Sequence, residues 1–116
     1  MDLVVVHWKI KPTNDAERAF RAHWAESHPQ HTGFVEEYLS QPLLAAEAGF
    51  ECWSLDRLDG SGFKSFFNVG KWESADAFGD FLKASGQSGM KEFEAEPRRR
   101  MVLRPINEHH TQPASG

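Results

Sequence analysis

The sequence predicts an α+β fold in which two helices lie on one face of an antiparallel sheet, in the order βαββαβ. Three observations lead there. Strand-like alternation occurs near the start, in the middle and near the end of the chain. The first and middle stretches each run straight into an amphipathic helical pattern. Prolines and glycines stand at the joins between these patterns and seldom inside them.

Leu3 to Lys11 reads as the first strand, with Val4, Val6, Trp8 and Ile10 on one face and Leu3, Val5, His7, Lys9 and Lys11 on the other. Pro12 ends it, and Thr13 or Asn14 can cap the helix that follows. Ala16, Ala19, Phe20, His23, Trp24 and Ser27 recur at helical spacing, opposite Glu17, Arg18, Arg21 and Glu26, until Pro29 stops the helix. Gly33 to Ser40 alternates weakly, with Phe34, Glu36 and Tyr38 opposite Val35, Glu37 and Leu39. Leu43 to Ala46 fits either a helical turn or an apolar loop. Phe50 to Leu58 reads as a strand and Asp59 to Gly62 as a turn, so a hairpin with Phe63 to Trp72 is expected.

The stretch from Phe66 to Leu82 is the most informative. Phe66, Asn68, Gly70 and Trp72 share one face of a strand, opposite Phe67, Val69 and Lys71. Ser74 then stands at a helix N-cap with Asp76 in the first turn, and Ala75, Phe78, Phe81, Leu82 and Ser85 follow at helical spacing. Gly86 and Gly89 break the chain, Met90, Phe93 and Ala95 suggest one short helix before Pro97, and Arg99 to Ile106 reads as the last strand. Residues 1–106 are thus expected to form a single domain of the ferredoxin-like type, followed by a polar tail, residues 107–116.

Composition narrows the function classes. With 116 residues there is room for one core, and 40% apolar and 26% charged residues are ordinary for a globular domain. The net charge of −4 argues against a nucleic-acid partner, and the single basic run, Arg98-Arg99-Arg100, reads as a solvated strand start. Cys52 is the one cysteine, so no intrachain disulfide is possible. Too few apolar residues precede His7 for a signal peptide, and no run approaches the ~20 needed to span a membrane. A soluble, cytoplasmic protein with no membrane partner is expected. Apolar side chains appear on both sides of the strands, yet both helices are needed on one face. A second copy of the sheet is the simplest cover for the other, which predicts a homodimer.

These residues carry a resemblance. WESADAF, with Asn68 four residues before Trp72, resembles the core of the antibiotic biosynthesis monooxygenase domain family, and VVHWKIKP, GFVEEYLS and MVLRPI fit the same pattern. The likeness covers roughly Val4 to Ile106. It implies a dimeric α+β barrel with a pocket between the sheet and helices of each subunit. It also implies oxidation of electron-rich polycyclic phenols or quinols by dioxygen without metal or flavin, so no cofactor is expected. Asn68 and Trp72 match an Asn and a Trp that the monooxygenase branch places beside substrate and oxygen. Some members have a tyrosine six residues after that Trp, where this chain has Phe78. Haem-degrading relatives use a His ten residues after it, here Leu82, and an Asn in the first strand, near His7 here; the loss of both points away from haem degradation.

The residue chemistry suits such a site. A side-chain amide donates without titrating and an indole N–H is a donor only, so Asn68 and Trp72 suit a developing oxyanion or peroxide. A preorganised donor of this kind is worth ~3 kcal/mol of barrier. Four residues apart on one strand face, the two lie roughly 13 Å apart and could bracket a polycyclic ligand without gripping the same atom. The plainer alternative is that Trp72 fills the core and Asn68 satisfies a backbone group. His23, between Phe20 and Trp24 on the apolar stripe, is the best candidate base. Phe20, Trp24, Phe66 and Phe78 are expected to form apolar walls, and Tyr38 and Trp53 either line the pocket or simply pack. His28 and His31 in HPQH are too few for a zinc site, so no metal is expected. The expected partners are a small aromatic substrate, dioxygen and a second copy of the chain. The rival function is a non-catalytic dimeric barrel that holds an apolar metabolite.

Overall fold

A computed structural model describes residues 1–43, 45–51, 62–86 and 89–109, and for Ala45 and Ala46 the backbone alone. In chain order the elements are β1 (Asp2–Ile10), α1 (Asn14–Glu26), β2 (Phe34–Ser40), a single helical turn α2 (Ala45–Ala48), β3 (Lys64–Trp72), α3 (Ala75–Ser85) and β4 (Glu94–Leu103). The strands form one antiparallel sheet in the order β2-β3-β1-β4. With α1 and α3 this is the βαββαβ arrangement of ferredoxin-like α+β proteins.

Alternation along β1 decides which face is covered. Val4, Val6, Trp8 and Ile10 are buried and pack with Phe20 of α1, Phe78 of α3, and Phe66 and Trp72 of β3. Leu3, Val5, His7 and Lys9 on the other face are half-buried. That face continues through Phe67 and Val69, opposite His7 and Val5, and through the exposed Tyr38, Met101 and Leu103. It is largely apolar, and α1 and α3 lie on the other side of the sheet.

Both long helices start where side-chain caps stand. The Ala16 N–H donates to Thr13 Oγ1 and the Ala77 N–H to Ser74 Oγ, each at 3.1 Å. Asp2 adds a longer-range cap, because its Oδ2 accepts from the Ala75 N–H at 2.7 Å while Arg104 donates to both of its oxygens at 2.9 Å. The start of β1, the start of α3 and the chain after β4 are thereby tied at one carboxylate. The Arg104 hydrogen bond, against the opposing effect of burial, lowers that carboxyl to about 2. Gly33, just before β2, has φ +97° and its carbonyl accepts from the Glu73 N–H at 2.8 Å. A Cβ there would lie 2.6 Å from that of Ala77, so a larger residue would push β2 away from α3.

Several sequence expectations need correction. The register of β2 slips at Val35, since Phe34 faces Trp72 but Glu36 faces Lys71. This bulge puts Phe34, Glu37 and Leu39 on the helix side and Glu36 and Tyr38 on the open side, which simple alternation does not foresee. The short helix expected over Met90 to Ala95 is absent, because β4 begins at Glu94 and runs through Pro97. Pro97 is tolerated because β4 is an edge strand and its register shifts between the pairs at His7 and Lys9. The basic run is not a uniformly solvated start. Arg98 is buried and makes a two-pronged pair with the buried Glu94 at 3.0 and 2.7 Å. The expected strand at Phe50 is not formed at Phe50 or Glu51, and β2 is the partner of β3 from Phe67 to Trp72. The rest of that strand, its turn, Cys52, Trp53 and most of the tail lie outside the described residues.

Candidate functional site

At one end of the helix-covered face the sheet and helices part to leave a narrow cleft with a free volume of about 50 Å³. Its floor is Val6 and Trp8 of β1, Glu37 of β2, Asn68 and Trp72 of β3, and Arg100 of β4. The walls come from His23 and Trp24 of α1 and from Phe78, Phe81 and Leu82 of α3, with Ser27 and Pro29 just beyond α1. Strand alternation delivers this set: Val6 faces Asn68 across the β1–β3 ladder and Arg100 across the β1–β4 ladder, so all three point to the helix side.

A hydrogen-bonded chain crosses the floor. The Trp24 indole N–H donates to Asn68 Oδ1 at 2.8 Å, and Asn68 Nδ2 donates to Glu37 Oε2 at 3.1 Å. An indole can only donate, which fixes the Asn68 carbonyl toward Trp24 and its NH₂ toward Glu37. One amide hydrogen of Asn68 is therefore already committed, leaving the other for a ligand. Burial holds the Glu37 carboxyl above the ordinary carboxylate value, opposed by the Asn68 hydrogen bond and the charge of His28.

Trp72 is 1% exposed and sits in an aromatic cluster with Phe34, Phe78 and Phe81, at centroid distances of 5.4, 5.4 and 5.3 Å. Its indole N–H makes no hydrogen bond to a described residue. Gly70 lies beside it, and a Cβ there would stand 3.5 Å from both Trp72 Nε1 and Glu37 Cβ. The glycine thus lets the Glu37 and Trp72 side chains pack over the strand. His23 is half-buried, with its ring 5.4 Å from that of Phe93 and its Nε2 3.5 Å from Ser27 Oγ. Burial first, then the positive charges of Lys91 and Arg98, lower its pKa, so the ring is neutral and able to accept a proton at pH 7. Arg100 has no hydrogen-bond or ion-pair partner among the described residues, and burial first, then Arg98, lowers its pKa.

Of the residues singled out from sequence, Asn68, Trp72, His23, Trp24 and Phe78 converge on this cleft. Phe20 and Phe66 do not line it; both are fully buried and stack on each other at 5.1 Å. Tyr38 is 58% exposed on the opposite sheet face, where its hydroxyl donates to Glu36 at 3.1 Å, because the Val35 bulge turned it there. His7 likewise lies on the face opposite the helices, stacked on Phe67 at 4.5 Å. Glu37 and Arg100 are the site residues that sequence reasoning missed. A signal for Glu37 existed only in combination, as an acid flanked by Val35 and Leu39 in a strand whose neighbour carries Gly70. Among the described residues no group of three or more His, Cys, Asp or Glu could hold a metal ion, and no helix is long and apolar enough to cross a membrane.

No protein-family model matches the sequence, and no curated protein matches it. Solved structures do match. MhuD, a haem degrader from Mycobacterium tuberculosis solved with two haems bound in its active site, is 17% identical with a TM-score of 0.55, over 93% of this chain and 99% of its own. A candidate antibiotic biosynthesis monooxygenase from Bacillus cereus is 8% identical at a TM-score of 0.55, over 97% and 98% of the two chains. Another from Deinococcus radiodurans is 13% identical at 0.55, over 95% and 99%. At these identities the likeness is one of fold, and the chain has the fold of the antibiotic biosynthesis monooxygenase proteins.

Proposed function

We propose that the protein is a dimeric, cofactor-independent monooxygenase that oxidises a small aromatic phenol, quinol or polyketide-like substrate with dioxygen. The observation that carries this reading is the convergence of Asn68, Trp72 and His23 on one cleft with aromatic walls. Such a reaction needs an electron-rich ring held flat, a group to take its hydroxyl proton, and donors for charge developing on oxygen. Trp24, Phe78 and Phe81 supply ring faces, the free Trp72 N–H and the second Asn68 amide hydrogen supply donors, and neutral His23 can accept a proton. Structures of like fold are named as candidate monooxygenases, which supports the same class. MhuD degrades haem, but here Leu82, an apolar wall residue, stands at the position where the resemblance calls for histidine. The apolar face opposite the helices, which no described helix covers, supports the dimer, since a second copy would cover Val5, Phe67 and Met101.

A second reading, a non-catalytic barrel holding an apolar metabolite, is favoured by the close packing of Trp72 and by the internal commitments of Asn68. Oxygen uptake separates the two. Metal-stripped protein is offered a panel of anthrones and hydroquinones, with Asn68→Ala and Trp72→Phe compared against autoxidation. Monooxygenase action predicts uptake well above background that falls about 100-fold in each variant, as for loss of one preorganised donor, with the dimer intact. Unchanged uptake in Trp72→Phe removes Trp72 from the mechanism, and no uptake across the panel favours the binding barrel.

A further inference from the structure

We propose that Glu37, in place of His23, is the first proton acceptor of the cleft, positioned by Asn68, and that it takes the hydroxyl proton of a bound phenol or quinol; this rests on the reading of the cleft as a site for hydroxyaromatic ligands. The Val35 bulge carries this one acid of β2 to the helix side, where it joins the cleft floor. Its Oε2 accepts from Asn68, whose orientation is dictated in turn by the donor-only indole of Trp24. Its Oε1 makes no hydrogen bond or ion pair with any described residue. One oxygen is thus anchored and the other is left for a ligand, as a general base requires.

The surroundings suit the same role. Glu37 and the Trp72 indole both line the cleft and close together over Gly70, where a Cβ would touch each at 3.5 Å, so a ligand in the cleft meets a carboxylate and an N–H donor. In the step, the substrate O–H bond breaks, a new O–H bond forms on Glu37 Oε1, and the electron pair stays on the substrate oxygen as a phenolate. Arg100, unpaired among the described residues, lines the same cleft and can balance that charge. A second and roomier hollow on the β2 edge, about 270 Å³, is lined by Trp24, His28, Phe34 and Glu37 among others. Glu37 borders both spaces, so the proton has a way to solvent that does not pass the bound ring. The raised carboxyl pKa agrees with this role, since it brings the group toward neutral pH.

The test uses Glu37→Gln, which keeps a carbonyl for Asn68 to donate to but cannot ionise. Binding of 2-naphthol, neutral throughout the range, is measured by calorimetry between pH 4 and 7. The charge of His28, beyond α1, acts on Glu37, and the titratable His23 of α1 and the cationic Arg100 of β4 line the same cleft, with Glu36 and Lys71 paired to each other on the other sheet face. All of these remain in the variant, so the difference between the two profiles isolates Glu37. The wild type should tighten about tenfold as Glu37 ionises, the difference expected of one charge-assisted hydrogen bond, and the variant should stay flat over that step. Oxygen uptake with any substrate turned over should also fall about 100-fold in the variant. Identical pH profiles in the two proteins overturn Glu37 whatever the turnover. A wild-type profile that Glu37→Gln flattens, without oxygen uptake, keeps the proton acceptor and removes the monooxygenase. Absence of binding in both proteins removes the aromatic site and this proposal with it.

Discussion

The helix-covered face of the sheet has two ends that obey different rules. At one end Ile10, Phe20 and Phe66 are fully buried, and the Phe20 ring packs at 5.1 Å on Phe66 and on Trp8, which marks the boundary with the cleft. At the other end, two residues further along the same face of β3, Asn68 replaces a large apolar side chain and lines a cleft. A strand built only for stability would continue the apolar series. Instead Trp24, Asn68 and Glu37 satisfy one another in a short chain and leave a carboxylate oxygen, an indole N–H and a guanidinium without described partners. Polar groups that partner one another at the cost of a filled core mark a place kept for something other than folding.

Mutations should break the two ends differently. The largest stability effect is expected at the filled end. Phe20→Ala should cost about 3–5 kcal/mol in urea unfolding, because it removes a ring in contact with Trp8, Phe66 and Phe93. It should leave 2-naphthol affinity nearly unchanged in the folded fraction, and a matching loss of affinity would mean that Phe20 shapes the cleft after all. A different test addresses the face opposite both ends. Val5→Lys places a charge at the centre of the open surface, facing Val69 and Met101, and should turn dimer into monomer in analytical ultracentrifugation without lowering monomer stability by more than about 1 kcal/mol. A wild type that sediments as a monomer would overturn the proposed dimer, and a dimeric variant would move its interface off this face. The smallest effect belongs to Tyr38→Phe, which removes one exposed hydroxyl bonded to Glu36. Stability should change by less than about 0.5 kcal/mol and oxygen uptake not at all, whereas lost uptake would return Tyr38 to the substrate site.

Most of the fold is legible in the periods of the sequence. The faces of β1 and β3, the caps at Thr13 and Ser74, and the stripe from Phe20 to Trp24 follow from local spacing, and the structure keeps them. Errors gather where a strand departs from its period. The bulge at Val35 inverts the faces after Phe34, sending Tyr38 out and Glu37 in, and nothing in FVEEYLS marks which residue is the extra one. Pro97 reads as a strand breaker, yet it lies in an edge strand where its missing N–H costs no ladder bond in the sheet interior. The cleft itself was half legible. Asn68 and Trp72 share a face by simple alternation, whereas Arg100 joins them only through the β1–β4 register, which no local pattern reveals.

The central claim, that the polar end of this face receives an aromatic ligand, can be tested through the four tryptophans. Their indole N–H signals are followed in a ¹⁵N-labelled sample titrated with 2-naphthol. Trp72, with its N–H free beside Gly70, should shift most. Trp24, whose N–H Asn68 already holds, and Trp8, which reaches the cleft floor but has its N–H buried, should both shift less. A Trp72 signal that stays in place while the ligand binds elsewhere, or does not bind at all, would contradict the account.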